Sequence, residues 1–317
     1  IIPARRFLAA VAGLALLTIP FALYEVAAHD NPFFGLAHTG PLADAWASFD
    51  PRGGRFRVET SFGHPLAYAF FLAEAGLSAA ILALTASRSR ERRVWAVGSA
   101  VLAGALFLPV SRTGWLVLGL GIVMVVLKLR SPSSSPSRRR RLRVAAVGAV
   151  AAAALALLVV APSFSGTGPA AVFGGSPKEV ANTAYRASLL REAFQPGNLH
   201  ALGNVDSRIS QTVGGHSASI DDEYIYFADA WGYVPLAGLL AVAVALALCA
   251  IQVPAIGGAV AAIGFASSLG LIVLALVTQQ ESFYWLFTGA ASALAARPES
   301  AKAAATSVSQ DSSATTR

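Results

Sequence analysis

Long stretches of this chain carry almost no charge, and they recur along its length. The apolar runs fall at about residues 8–28, 65–86, 94–110, 113–129, 144–161, 233–253, 257–277 and 283–296. A helix that crosses the hydrocarbon core of a bilayer needs roughly 20 predominantly apolar residues, and most of these runs approach or reach that length. They are rich in Ala, Leu and Val and do not alternate polar with apolar residues, as the strands of a membrane β-barrel must. Only 13% of the chain is charged and 55% is hydrophobic, whereas a soluble domain carries about 25% charge. The sequence therefore predicts an all-α fold: a polytopic membrane helix bundle of about eight transmembrane helices.

The net charge of +7 would suit a nucleic-acid partner, but its distribution points elsewhere. Seven basic residues and no acid lie between Lys128 and Arg143, and four more arginines stand at Arg88, Arg90, Arg92 and Arg93. Both clusters read as loops between apolar runs, the pattern of cytoplasmic loops under the positive-inside rule. Arg5 and Arg6 precede the first run and place that end inside too. The basic loop 130–143 also suits contact with anionic membrane lipid. Residues 29–64 then form an outer loop, and the third and fourth runs form a hairpin joined outside at Ser111-Arg112-Thr113-Gly114. Cys249 lies within an apolar run, cannot form an intrachain disulfide, and has no metal-site pattern around it. The chain begins at Ile1 and reads as part of a longer protein with further helices upstream.

Two regions interrupt the hydropathy. Residues 298–317 form an Ala/Ser/Thr-rich tail without an apolar face, expected to be disordered on the cytoplasmic side. The domain proper is thus 1–297. Within it, residues 163–232 form the longest polar stretch, expected to be external. Long loops of this kind are usually functional or disordered, and this one carries helix signals. Asn182 or Thr183 can cap a helix running through Tyr185, Leu189, Leu190 and Phe194, which Pro196-Gly197 ends. Ser219 with Asp222 three residues on makes a capping-box-like start to a second helix, whose Tyr224, Tyr226, Phe227 and Trp231 suit a membrane interface and which is expected to run on past Gly232 into the sixth span.

The candidate chemical groups lie on the outer side. Arg112 stands at the outer end of the third run, where an arginine near lipid either snorkels or holds an anion. Arg186 and Arg191 share the first loop helix, about 140° apart around its axis. A straight helix does not aim both at one ligand, so Arg186 is the preferred anion ligand and Arg191 the secondary one. His216, Asp221, Asp222 and Glu223 form the only dense cluster of bases. No zinc spacing is present; Asp221 and Asp222 offer only a weak magnesium set, so no metal and no cofactor are expected. Walker, dinucleotide-binding and Gly-x-Ser-x-Gly patterns are missing from the sequence.

The order of these features resembles the O-antigen ligase and polysaccharide polymerase superfamily. Thr60-Ser-Phe-Gly-His-Pro-Leu-Ala67 resembles the Gly/Pro-marked helix start that follows an outer loop in that family. Ser111-Arg112-Thr113-Gly114-Trp115 resembles its Ser-Arg-Gly hairpin. Tyr185-Arg186 through Pro196 and Gly203 resembles its loop helix and Pro/Gly turn. Ser219 through Gly232, with Leu236-Ala-Gly-Leu-Leu after it, resembles its return into the membrane. The resemblance covers about residues 55–297.

It implies an inverting, metal-independent glycosyltransferase of cell-envelope polysaccharide biosynthesis. Such an enzyme moves a glycan from a polyprenyl-diphosphate carrier to a hydroxyl acceptor, a glycan or a lipid, at the outer face of the cytoplasmic membrane. Arg112 and Arg186 match the family's diphosphate-holding arginines. Its base is commonly a His-Asn pair; here Asp221-Asp222 occupies that register, and His216 lies upstream of it. Asp221 and His216 are thus the two candidates for the base, with Asp222 a further contact. The departure leans toward a polymerase over a ligase. The rival reading is a membrane transporter or lipid-linked glycan flippase, which would place ionisable groups deep in the bundle; Glu74 is the main residue of that kind.

Overall fold

The structure, a computed structural model, describes residues 3–34, 56–109, 111–129, 200–202, 228, 231–253, 255–271 and 278–295. Among them the fold is all-helical. Seven α-helices follow one another: α1 (Ala4–Ala28), α2 (Pro65–Thr85), α3 (Ser89–Ala105), α4 (Arg112–Leu129), α5 (Tyr233–Gln252), α6 (Ala255–Gly270) and α7 (Thr278–Ala295), with a short 3-10 turn at Thr60–Phe62 before α2. Each matches one of the apolar runs. The expected run at 144–161, the loop 163–232 except for a few residues, and the tail 298–317 lie outside the described residues.

α2 is the hub. It is apolar all round, and Ala67 through Leu77 are buried without a break, as expected of a helix surrounded by others. α1, α3, α4, α6 and α7 all pack on it. Its start is set by Pro65 at the first helical position and by His64, whose Nδ1 accepts from the Leu66 N–H at 3.2 Å. Proline lacks the N–H that would be orphaned there, and a side-chain acceptor satisfies a neighbouring one.

Close approach to α2 depends on glycine. A Cβ built on Gly114 of α4 would lie 2.9 Å from Ala69 Cβ and 3.1 Å from Ala69 O, and one on Gly121 would collide with Leu77. Gly270 of α6 meets Phe70 and Val117 in the same way. Helices in lipid gain no hydrophobic drive from meeting one another, so small residues that let backbones approach supply the packing instead.

The outer faces are apolar. Leu14, Leu17 and Phe21 of α1, Val94, Val97 and Val101 of α3, and Leu240, Val244 and Leu248 of α5 are all exposed. A bundle in water would present polar residues there. Three helices, α1, α2 and α5, are long and apolar enough to cross a membrane by length and composition; shorter apolar segments lie at Thr113–Val126 and Ile256–Gly270.

The two ends of the bundle differ. Arg5 at the start of α1 donates to the Thr85 carbonyl at 2.9 Å, at the end of α2, and pairs with Glu91 in the first turn of α3 at 2.5 Å. Arg92 donates to Ala86 O at 3.2 Å. These cations sit on the C-terminal carbonyls of α2, where the helix dipole favours positive charge. Lys128, at the end of α4, donates to Ile251 O at 2.8 Å, at the end of α5. The described basic clusters thus share one end.

Three sequence expectations need correction. No helix runs through Gly232 into the sixth span: Gly232 takes φ 92° and ψ 172°, outside the helical region, and α5 starts after it at Tyr233. Arg90, Arg92 and Arg93 are not in a loop but in the first two turns of α3; arginine is a good helix former, and Glu91 in the first turn suits the dipole. The third helix also stops earlier than its apolar run, at Ala105. Residues 106–109 form a turn closed by Leu106 N→Ala103 O, Phe107 N→Gly104 O and Leu108 N→Ala105 O at 3.0–3.2 Å, because Pro109 disfavours helical geometry in the residue before it. Arg112 consequently opens the fourth helix and does not end the third.

Candidate functional site

At the end opposite the basic clusters, residues 56–64 form a strap across the helix ends. Sequence reading makes this part of a solvated outer loop. The structure buries it: Arg57, Val58, Glu59 and Thr60 are all 5% exposed or less. Backbone polar groups taken from water need partners, and here the neighbouring helices provide them.

Glu25, fully buried in the last turns of α1, accepts from the backbone N–H groups of Glu59 at 3.1 Å and Thr60 at 2.9 Å. Asn31 donates from Nδ2 to Thr60 O at 2.9 Å, while its Oδ1 accepts from the Phe33 N–H at 2.9 Å. Thr60 is thereby held at both its N–H and its carbonyl. Its φ of 48° is left-handed, a conformation that costs a non-glycine residue roughly 1–2 kcal/mol. Such strain persists where surrounding contacts over-determine it. Among the described residues, Thr60 Oγ1 is buried with no hydrogen-bond partner. Gly63, at φ 61°, then turns the chain into α2 without that cost.

The strap is also tied to the α3–α4 turn. Val58 N–H donates to Leu108 O at 3.3 Å and Arg57 Nε donates to Pro109 O at 3.1 Å. Two residues beyond Pro109, Ser111 acts as the cap of α4: its Oγ accepts from the Gly114 N–H at 3.3 Å. Arg112 is the first residue of that helix. Arg57 and Arg112 therefore come from separate parts of the chain to one turn.

Helix polarity adds to the charge at this end. α2 and α4 start here, at His64 and Ser111. α5 starts here as well, since its far end meets the far end of α4 through Lys128. Tyr233 N and Val234 N, in its first turn, donate to His200 O and Ala201 O at 2.9 and 3.2 Å. α7 runs in the same direction, because Leu294 near its end packs by Gly257 at the start of α6. Helix N-termini carry a partial positive charge, which favours anions, although α1, α3 and α6 end here and offset part of it, and the Leu66, Gly114, Tyr233 and Val234 N–H groups already have partners.

Of the residues proposed from sequence for glycan transfer, only Arg112 lies in a described helix; Glu74, named for the rival reading, lies in α2. Arg186, Arg191, His216, Asp221 and Asp222 lie outside the described residues. Sequence reading gives Glu25, Arg57 and Thr60 no site role of their own. A signal for one of them was present: Glu25 is an acid inside an otherwise uncharged run, a costly placement that calls for a partner. Among the described residues, no group of three or more His, Cys, Asp and Glu side chains is arranged to hold a metal ion. Compared with protein-family models, curated proteins and solved structures, the chain matches none.

Proposed function

We propose that this chain is a membrane glycosyltransferase of the ligase or polymerase type, with about eight transmembrane helices and its site at the strap end, facing out of the cytoplasm. The eighth span would be residues 144–161, and the loop 163–232 would be external. The observation that carries the reading is the placement of Arg112. It opens α4 beside the buried strap that holds Arg57, at the end where several helix N-termini converge and away from the basic clusters.

A polyprenyl-diphosphate donor suits such a place. Its lipid lies among apolar helix faces, and its diphosphate reaches the depth where helices begin. Guanidinium groups match phosphate oxygens with a planar fork. In the reaction, the acceptor hydroxyl oxygen attacks the anomeric carbon of the carrier-linked sugar as the carbon–oxygen bond to the diphosphate breaks. The diphosphate departs on its lipid, its charge held by Arg112 and Arg186, and the hydroxyl proton passes to Asp221 or His216. Attack opposite the leaving group inverts the anomeric centre.

The test is turnover of a lipid-linked glycan donor by the purified chain in liposomes, with elongated or ligated glycan as the readout. Product formation that Arg112→Ala abolishes supports the reading; a folded, reconstituted protein that consumes no such donor defeats it. A second reading, a transporter or flippase, has one observation in its favour: Glu74 is fully buried at the middle of α2. Movement of the labelled donor between leaflets without glycan transfer would select it.

A further inference from the structure

Glu74 occupies the middle of the hub helix and has no exposed surface. Ser267 of α6 donates from Oγ to Glu74 Oε1 at 2.6 Å. Glu74 Oε2 has no hydrogen-bond partner among the described residues, and no described cation pairs with it. Ser78, one turn on, bonds to the Glu74 backbone carbonyl at 2.8 Å. The carboxyl group is therefore served by one hydroxyl from one neighbouring helix.

The helices packed on α2 bring little that would stabilise a charge there. α6 has no titratable residue. Those of α1, α3 and α4 lie within two turns of the helix ends. α7 carries Glu281 and Tyr284, and the Tyr284 hydroxyl is engaged with Ser268 at 3.2 Å. On α2 itself, Tyr68 is paired with Thr18 at 3.0 Å. Arg57, Glu59 and His64 of the strap lie at or beyond the start of α2. An ionised carboxylate offers about four acceptor sites, and burying one without a cation costs several kcal/mol or more. A neutral carboxyl group avoids most of that cost.

We infer that Glu74 is a proton-binding site at the α2–α6 contact, occupied in the arrangement described, and that loss of its proton requires the two helices to part and admit water. Glutamine imitates the neutral group. The inference stands whether the protein transfers glycans or moves a solute.

Infrared spectra of the whole chain in liposomes, with and without sodium, test it. At neutral pH the wild type should show a protonated-carboxyl C=O stretch that Glu74→Gln removes. Ser267→Ala, which deletes the one hydrogen bond to that group, should move the stretch to higher frequency. Ionised-carboxylate bands lost in Glu74→Gln, with either salt, would overturn the inference in favour of a charged or cation-bound group. Should Glu74→Gln fail to fold, Ser267→Ala decides alone, and an unmoved stretch refutes the assignment.

Discussion

The Glu25 carboxyl group holds the Thr60 N–H at 2.9 Å and the Glu59 N–H at 3.1 Å, so an acid in the first helix fixes a turn that lies far along the chain. This link ties α1 to the strap, and the strap to the α3–α4 turn through Arg57 and Val58. It makes the end of the bundle a built structure.

Glu25→Gln replaces a group that accepts with two oxygens by one with a single acceptor oxygen. One of the two strap N–H groups loses its partner in a buried place. The expected cost is about 1–3 kcal/mol, the penalty for an unsatisfied buried donor, read as a lowered unfolding midpoint in detergent. A variant as stable as wild type would show that the strap does not depend on Glu25.

Gly114→Ala puts a methyl group against Ala69 Cβ and the Ala69 carbonyl, neither of which can rotate away. Overpacking of this kind costs about 1–3 kcal/mol. Gly119→Ala on the same helix, where a Cβ meets nothing within 4 Å, serves as the control and should be tolerated. Equal stability of the two variants would remove the close α2–α4 approach from the account.

Membrane orientation follows from which end holds the basic clusters. In a Cys249→Ala background, a cysteine at exposed His29 should react with an impermeant thiol reagent in intact cells, while one at exposed Ser87 should stay protected. The opposite pattern would turn the bundle over and move the proposed site to the cytoplasm.

Lysine keeps the charge of arginine and loses its planar fork. If Arg112 and Arg186 clamp a diphosphate, Arg112→Lys and Arg186→Lys should each lose about 1–3 kcal/mol of transition-state stabilisation, the scale of a charged hydrogen bond. That is about 5- to 150-fold in kcat/KM. Near-wild-type turnover of a well-expressed double variant would eliminate the clamp.

For the base, Asp221→Asn should abolish transfer and His216→Ala should reduce it less, since position relative to the membrane governs geometry before basicity matters. The opposite ranking, in protein shown to be folded, would assign the proton to His216.

Sequence alone determined the helical class and the rough limits of seven helices, because apolar runs of this length have one economical structure in lipid. Gly63 and Pro65 also marked a helix start, since such signals lie within one turn, whereas Ser111 read only as part of a hairpin and its capping of α4 appeared with the structure. The basic clusters that share an end were legible for the same reason: charge along the chain needs no tertiary knowledge. Tertiary structure decided what local pattern cannot carry. Glu25 meets Thr60, Arg57 meets Pro109 and Ser267 meets Glu74 across long separations in sequence. Only packing shows that residues 57–60 are buried while Leu14 and Leu240, far more apolar, face outward. In a membrane bundle hydropathy separates lipid from water but does not separate lipid-facing from core-facing helix surfaces, so the buried polar groups emerge only when the helices are set side by side.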